Sequence, residues 1–366
     1  MKITALRTTA FRIPLARAIG FAHGAMADTR NVLIEVETDA GLTGIAEAPS
    51  RPFIYGESQA SIVAAVRDWF APALVGTDPF DTGALWQRLD KVQNNLTAKG
   101  AIDLALHDLM GKALGLSCRR LLGGGGDVYR PRATYVCGYS SPGEMVEEVQ
   151  AVNAAYGIDA FKIKIGVEAS RDAETLRLIR DALPDATLYV DGNEAFDRFR
   201  AIEVLALCAD VGVVWAEEPC HHDDRAARAS VGRSGAVPIL GDESCRTPQE
   251  VAREIDDGCI HMVSIKVART GYVRSRDILG LCRAHAIRPM VGSQGDSGIG
   301  VMAAGHFCAA FEETRALPAE LSFHLNLAAD VLTDPPRIEA GRLCLPDGPG
   351  MGVEIDRTKL KELTVE

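Results

Sequence analysis

Two periodicities divide this chain. Over the first fifty or so residues apolar and polar positions alternate, in "MKITALRTTAFRIPL" and again in "RNVLIEVETDAGLTGIAEA". Alternation of this kind predicts strands, and Asp39-Ala40-Gly41 predicts the turn of a hairpin. Helical spacing follows in "ASIVAAVRDWFAPAL" and in "TAKGAIDLALHDLMGKALGL", where Ile102, Leu106, Leu109 and Ala113 fall three to four apart. The run Gly123–Gly126 then predicts a helix stop and an inter-domain linker in preference to a phosphate cradle, because it follows a helix and does not open one. From about residue 131 short apolar runs alternate with amphipathic stretches, and each apolar run ends in a chemically loaded residue: "TYVCGY", "FKIKIG", "LYVDGN", "VVWAEEP", "PILGDES", "MVSIKVA", "RPMVGSQ".

The spacing is regular. Lys164 to Asp191 is 27 residues, Asp191 to Glu217 is 26, Glu217 to Asp242 is 25 and Asp242 to Lys266 is 24. A strand, a helix and two loops fill that length, which is the repeat of a parallel α/β barrel, whose functional groups collect at the C-terminal strand ends. Counting "TYVC" as the first strand puts "FKIKIG" second, the acids on strands three to five and Lys266 on the sixth; the eighth falls near "AELSF". Within "FKIKIG", Lys162 and Lys164 share one face and Phe161, Ile163 and Ile165 the other. An isolated pair of lysines on a strand reads as a solvated edge. In a barrel, strands two and six face each other, so these lysines and Lys266 flank one central volume with the three acids along its wall.

Composition narrows the function classes. The 366 residues carry 39 Lys and Arg against 50 Asp and Glu, a net charge of −11. So acidic a chain is a poor partner for nucleic acid or an anionic membrane surface. No apolar run approaches the ~20 residues that span a bilayer, and the N-terminus has neither the apolar block nor the cleavage site of a signal peptide. Nine scattered cysteines with no CxxC pair predict reduced thiols in a cytoplasmic protein.

Three converging carboxylates without cysteine or histidine make a hard, all-oxygen pocket suited to Mg²⁺, with Mn²⁺ as a substitute. They would repel one another unless a cation or the lysines compensated. A metal opposite paired lysines suits proton transfer at the carbon next to a carboxylate: the metal holds the developing charge, and a lysine of depressed pKa moves the proton. The predicted partner is a small-molecule carboxylate.

In order and spacing, "KIK", "VDGN", "AEEP", "GDES" and "SIKVARTG" resemble the muconate lactonizing enzyme subgroup of the enolase superfamily, and the resemblance runs to the ending "GPGMGVEID". It implies a modified (β/α)7β barrel (residues 126–322) beneath an α+β capping domain (residues 1–125), with residues 323–366 returning to the cap. It implies Asp191, Glu217 and Asp242 as Mg²⁺ ligands, Lys164 and Lys266 as acid/base groups, Lys162 as an electrostatic helper, and Asn193, Glu218 and Glu243 close to the metal. Relatives are often octamers, so a homo-oligomer is expected. Strand seven lacks a His-Asp dyad, which fits the mandelate racemase subgroup less well. In "GSQGDSGIG", Gln294 is a candidate substrate contact, and Asp296 stands where many relatives carry Glu. In the cap, "EAPSRPFIYGESQASI" resembles the lid of muconate cycloisomerases. A dicarboxylate's second anion could take a bidentate contact from Arg51 and a hydrogen bond from Tyr55; His23, in "FAHGAMAD", belongs to the other lid loop. The implied reaction interconverts cis,cis-muconate and muconolactone in aromatic catabolism. The same pair of lysines would equally racemise an N-acyl amino acid or epimerise a dipeptide.

Other motifs compete. "GDSG" at Gly295–Gly298 matches a serine-protease signature but needs a positioned His and Asp. "HHDD" at His221–Asp224 could bind a metal but reads as a polar loop after strand four. Cys220 and Cys245 have no visible base and read as packing residues. A barrel lysine could form a Schiff base in a metal-free aldolase, a reading the aligned acids oppose, as they oppose a non-catalytic binding barrel.

Overall fold

The computed structural model describes residues 1–127 and 129–365. The alternating N-terminal segments form an antiparallel sheet of β1 (Ile3–Phe21), β2 (Gly24–Thr38) and β3 (Thr43–Pro49). The hairpin turn lies at residues 39–42, where Gly41 takes φ +74°. Against the sheet packs the helix Leu96–Leu114. The expected stripe understates its burial: residues 97–111 are all buried, whereas Ala113 is exposed. The difference arises because this helix lies between the sheet and the second half of the chain. Its polar groups make the joints. Asp108 accepts from the Ile45 and Met351 amides, and Asp103 from the Trp86 indole and the Tyr272 amide.

The second half holds a seven-stranded parallel sheet in strict chain order: β4 (Tyr135–Cys137), β5 (Ala160–Lys164), β6 (Thr187–Asp191), β7 (Ala216–Glu217), β8 (Ile239–Gly241), β9 (Met262–Ile265) and β10 (Arg288–Val291). Ala319 and Glu320, in the expected eighth position, close the ring. The Thr134 amide donates to the Ala319 carbonyl at 2.7 Å, and the Glu320 amide to the Val291 carbonyl at 2.9 Å. The C-terminal end bridges back to β1 through Phe11 and Thr364. The helix Cys118–Leu121 stops before the glycine run, and Arg119 donates to the carbonyls of Gly124, Gly125 and Gly126. All nine cysteines are free.

One glycine docks the two halves. Gly271, in "SIKVARTG", takes φ +56°, and a Cβ there would lie 2.4 Å from the Asp103 carboxylate. Only a residue without a side chain admits this approach.

Two core histidines make stability pH-dependent. Burial lowers His306 and His324 from 6.5 to about 4. The folded chain therefore keeps both neutral where the unfolded chain takes up protons. Their contribution is complete above pH 6.5 and is lost as the pH falls towards 4, by on the order of a few kcal/mol. His324→Phe should flatten the melting temperature against pH over that interval; an unchanged profile would remove His324 from this role.

Candidate active site

Each loaded residue sits at or just past the end of its strand, because parallel pairing aligns the C-terminal ends. Lys164 pairs in register with Asp191, and Asp191 with Glu217. Asp242 and Lys266 follow β8 and β9 by one residue. Above them lies a cavity of about 720 Å³, roofed by the one-turn helix Pro52–Tyr55 and by residues of β1 and β2.

The floor is a charge lattice. Lys162 Nζ lies 3.0 Å from Glu217 Oε2, 3.1 Å from Asp191 Oδ2 and 2.6 Å from Glu320 Oε1. Lys164 donates to Asp191 Oδ2 and to Asn193 Oδ1, each at 2.6 Å. Lys266 donates to Asp242 Oδ2 and, at 3.2 Å, to the Tyr55 hydroxyl. Arg269 donates to Asp242 Oδ1 at 2.8 Å and to the Tyr55 hydroxyl at 2.9 Å. Asn193 Nδ2 donates to Glu243 Oε1 at 3.1 Å.

Burial opposes every charge here, and the neighbours decide the outcome. Burial would raise Asp191, yet Lys164 and Lys162 draw it down to about 2. Asp242 is driven further down by Lys266 and Arg269. Glu243 is pushed up to about 8 by burial and by Asp242 and Asp191. Glu217 is also raised, chiefly by burial. Burial disfavours the ammonium groups of Lys162 and Lys266, but Glu217, Glu320 and Asp191 hold the first, and Asp242 the second, well above the usual range.

The donor set suits a hard cation. Five carboxylates (Asp191, Glu217, Asp242, Glu243 and Glu320) face four basic groups (Lys162, Lys164, Lys266 and Arg269). Two buried oxygens, Glu217 Oε1 and Glu243 Oε2, have no hydrogen-bond partner. Unpartnered carboxyl oxygens are costly in a buried site, and a divalent ion would satisfy them.

Of the expected substrate contacts, Arg51, Tyr55, Asn193 and Gln294 line the cavity. Gln294 is 5% exposed with both amide atoms unpartnered. Arg51 is largely spent on latching the lid: it donates to the carbonyls of Ser50 and Gly295 and to the Thr29 hydroxyl. His23 and Asp296 are not in the cavity wall. His23 is exposed and bonds through Nε2 to the Asn193 carbonyl at 2.7 Å, pinning the β1–β2 tip to the loop after β6. Asp296 turns into its own loop, accepting from the Ser293 hydroxyl and the Gln294 amide. Glu218 faces away from the carboxylate ring. It pairs with Arg228 and accepts from the Asp242 and Ser244 amides, which positions the Asp242 backbone.

Sequence reasoning passed over two floor residues. Arg269 stands three positions after Lys266 in a motif already quoted, and Glu320 lies inside the closing segment "AELSF". Two of the competing motifs are accounted for. Ser297 of "GDSG" donates its hydroxyl to Glu47, and burial pushes the Cys220 and Cys245 thiols up to about 12.

Comparison with known proteins agrees with this arrangement. Residues 144–359 match the enolase C-terminal domain-like family, and residues 3–123 match the mandelate racemase / muconate lactonizing enzyme N-terminal domain. The chain is similar to muconate cycloisomerase 1 of Rhodococcus opacus, at 28% identity over 100% of this chain and 99% of that one. It is equally similar to N-succinyl-L-Arg/Lys racemase of Bacillus cereus, at 28% over 100% and 98%. Its fold superimposes with a TM-score of 0.97 on muconate lactonizing enzyme from Mucobacterium Smegmatis complexed with muconolactone, at 37% identity and 100% coverage of both chains.

Proposed function

The chain belongs to the muconate lactonizing enzyme subgroup of the enolase superfamily, and within that family of enzymes we propose that it is a muconate cycloisomerase. The observation that carries the reading is the pair of ammonium groups, Lys164 and Lys266, at separate edges of one carboxylate ring beneath the helix Pro52–Tyr55. The 37% identity to a muconolactone complex, against 26% for the solved racemase of Bacillus cereus, supports this substrate.

In the proposed reaction a carboxylate oxygen of cis,cis-muconate forms a carbon–oxygen bond to the conjugated alkene. The displaced electrons move towards the other carboxylate, and a lysine ammonium delivers one proton to carbon. Asp191, Glu217 and Asp242 would hold Mg²⁺ or Mn²⁺, with Glu243 beside them. When bound, such an ion stabilises negative charge developing on the substrate carboxylate. Lys164 and Lys266 hold the protons for the two faces of the reacting carbon. Lys162 holds Asp191 in its ionised form and draws Glu217 the same way against burial, while Arg269 and Glu218 fix Asp242 from its side-chain and backbone ends. Tyr55 and Gln294 offer polar contacts to the substrate. The proposal includes a cytoplasmic homo-oligomer.

A second reading, racemase or epimerase of N-acyl amino acids or dipeptides, is favoured by the equal 28% identity to the two curated enzymes and by the same two lysines. One experiment separates them. Enzyme, Mg²⁺ and cis,cis-muconate are mixed in D₂O and the diene absorbance is followed. Rapid, EDTA-sensitive loss with one stereospecific deuterium in the product is expected. No loss, together with α-deuterium exchange into N-succinyl amino acids or dipeptides, would overturn the cycloisomerase in favour of the racemase.

A further inference from the structure

Outside the carboxylate ring, the loops after β6 and β7 bring Glu194, His221 and His222 together, with one ligand atom of each within 4.8 Å of the others. None of the three lines the main cavity. Glu194 Oε1 lies 2.6 Å from His222 Nδ1 and accepts from the His222 amide at 2.6 Å. The imidazoles stack with centroids 4.4 Å apart and planes 25° from parallel. Glu194 is held at φ +65°, a conformation rare outside glycine. Its amide donates to the Glu218 carbonyl at 2.8 Å, which fixes that backbone and turns the carboxylate to the histidines.

We propose that Glu194, His221 and His222 form a second metal site, selective for a borderline transition ion of the Zn²⁺ class. Two imidazoles and a carboxylate are a donor set Zn²⁺ accepts, whereas Mg²⁺ prefers oxygen alone. Ligand atoms this close need only a small side-chain adjustment to reach bonds of about 2.0–2.2 Å. Two interactions occupy donor atoms: Glu194 Oε1 meets His222 Nδ1 at 2.6 Å, which leaves His222 Nε2 and the second carboxylate oxygen for an ion, and the Asp223 amide reaches His221 Nδ1 at 3.2 Å, which leaves His221 Nε2. His221 is exposed, so the fourth position opens to solvent. The site adjoins Asn193, which accepts from Lys164 and donates to Glu243 and whose carbonyl meets His23 of the lid hairpin. A bound ion would tie the β6 loop to the β7 loop at the point where the lid rests. This inference concerns different residues from the proposed Mg²⁺ ring and stands apart from it.

The test uses the full-length protein stripped with EDTA, dialysed against micromolar Zn²⁺ with millimolar Mg²⁺ present, and analysed for bound zinc. Wild type should retain one Zn²⁺ per chain that the His221→Ala/His222→Ala double variant lacks. Glu194→Gln should bind roughly tenfold or more weakly. Co²⁺ in place of Zn²⁺ should give wild-type visible bands of a histidine-ligated, low-coordinate ion, absent from the double variant. Circular dichroism checks that each variant folds. Wild type retaining no zinc, or the double variant retaining as much as wild type, would overturn the site.

Discussion

Replacing Lys164 or Lys266 by alanine is expected to lower kcat by roughly a thousandfold or more with little change in KM or in the fold. Both side chains end on the cavity wall, so truncation removes a proton carrier without opening the core. Their partners stay supported after the loss: Asp191 retains Lys162, and Asp242 retains Arg269. The two variants should also differ from each other. In D₂O the one lacking the delivering ammonium makes no product, while the residual product of the other carries deuterium on the same face as wild type. Deuterium location by NMR therefore assigns the faces, and full activity in both variants would remove these lysines from the reaction. Lys162→Ala should behave differently, because that ammonium is 3% exposed and compensates three carboxylates at once. Its loss should appear first as weaker folding.

Asp242→Asn should weaken Mg²⁺ binding by roughly a hundredfold and lower the melting temperature of the metal-free protein as well. Asp242 is the carboxylate partner of both Lys266 and Arg269. Removing one member of a buried charge cluster leaves the others desolvated and uncompensated, at a cost of about 3–5 kcal/mol. Calorimetric titration with Mg²⁺ measures the first effect and thermal denaturation in EDTA the second. Unchanged Mg²⁺ affinity would take Asp242 out of the ligand set. Unchanged metal-free stability would mean that Arg269 is satisfied by its bonds to the Asp242, Cys245 and Ser264 carbonyls alone.

The barrel and its floor were legible because both rest on periodicity. A parallel sheet in chain order repeats at nearly constant length, and pairing in register lines up the strand ends, so spacing alone brought Lys164, Asp191, Glu217, Asp242 and Lys266 to one level, with Lys162 two residues below on β5. The direction of the lysine pKa shifts was not legible. It depends on which carboxylates lie within about 3 Å of each ammonium, and Glu320, which holds Lys162, comes from a segment more than 150 residues away. For the same reason the helix Leu96–Leu114 read as one-sided although residues 97–111 are all buried: the pattern records one apolar stripe but not how many surfaces press on it.

The lid shows the limit most clearly. The resemblance to a lid named Arg51, Tyr55 and His23 as groups able to meet a substrate. Only the tertiary structure could spend Arg51 on Gly295, bring Tyr55 to Lys266 and Arg269, and turn His23 onto the Asn193 backbone. By itself the sequence determined the strand order, the level of the charged ring and the hardness of its donors, because these follow from local repeats and side-chain chemistry. The structure decided which charges neutralise one another, which polar atoms are left without partners, and which side chains reach the cavity. Those outcomes depend on distances of a few ångströms between segments far apart in the chain, and no local pattern encodes them.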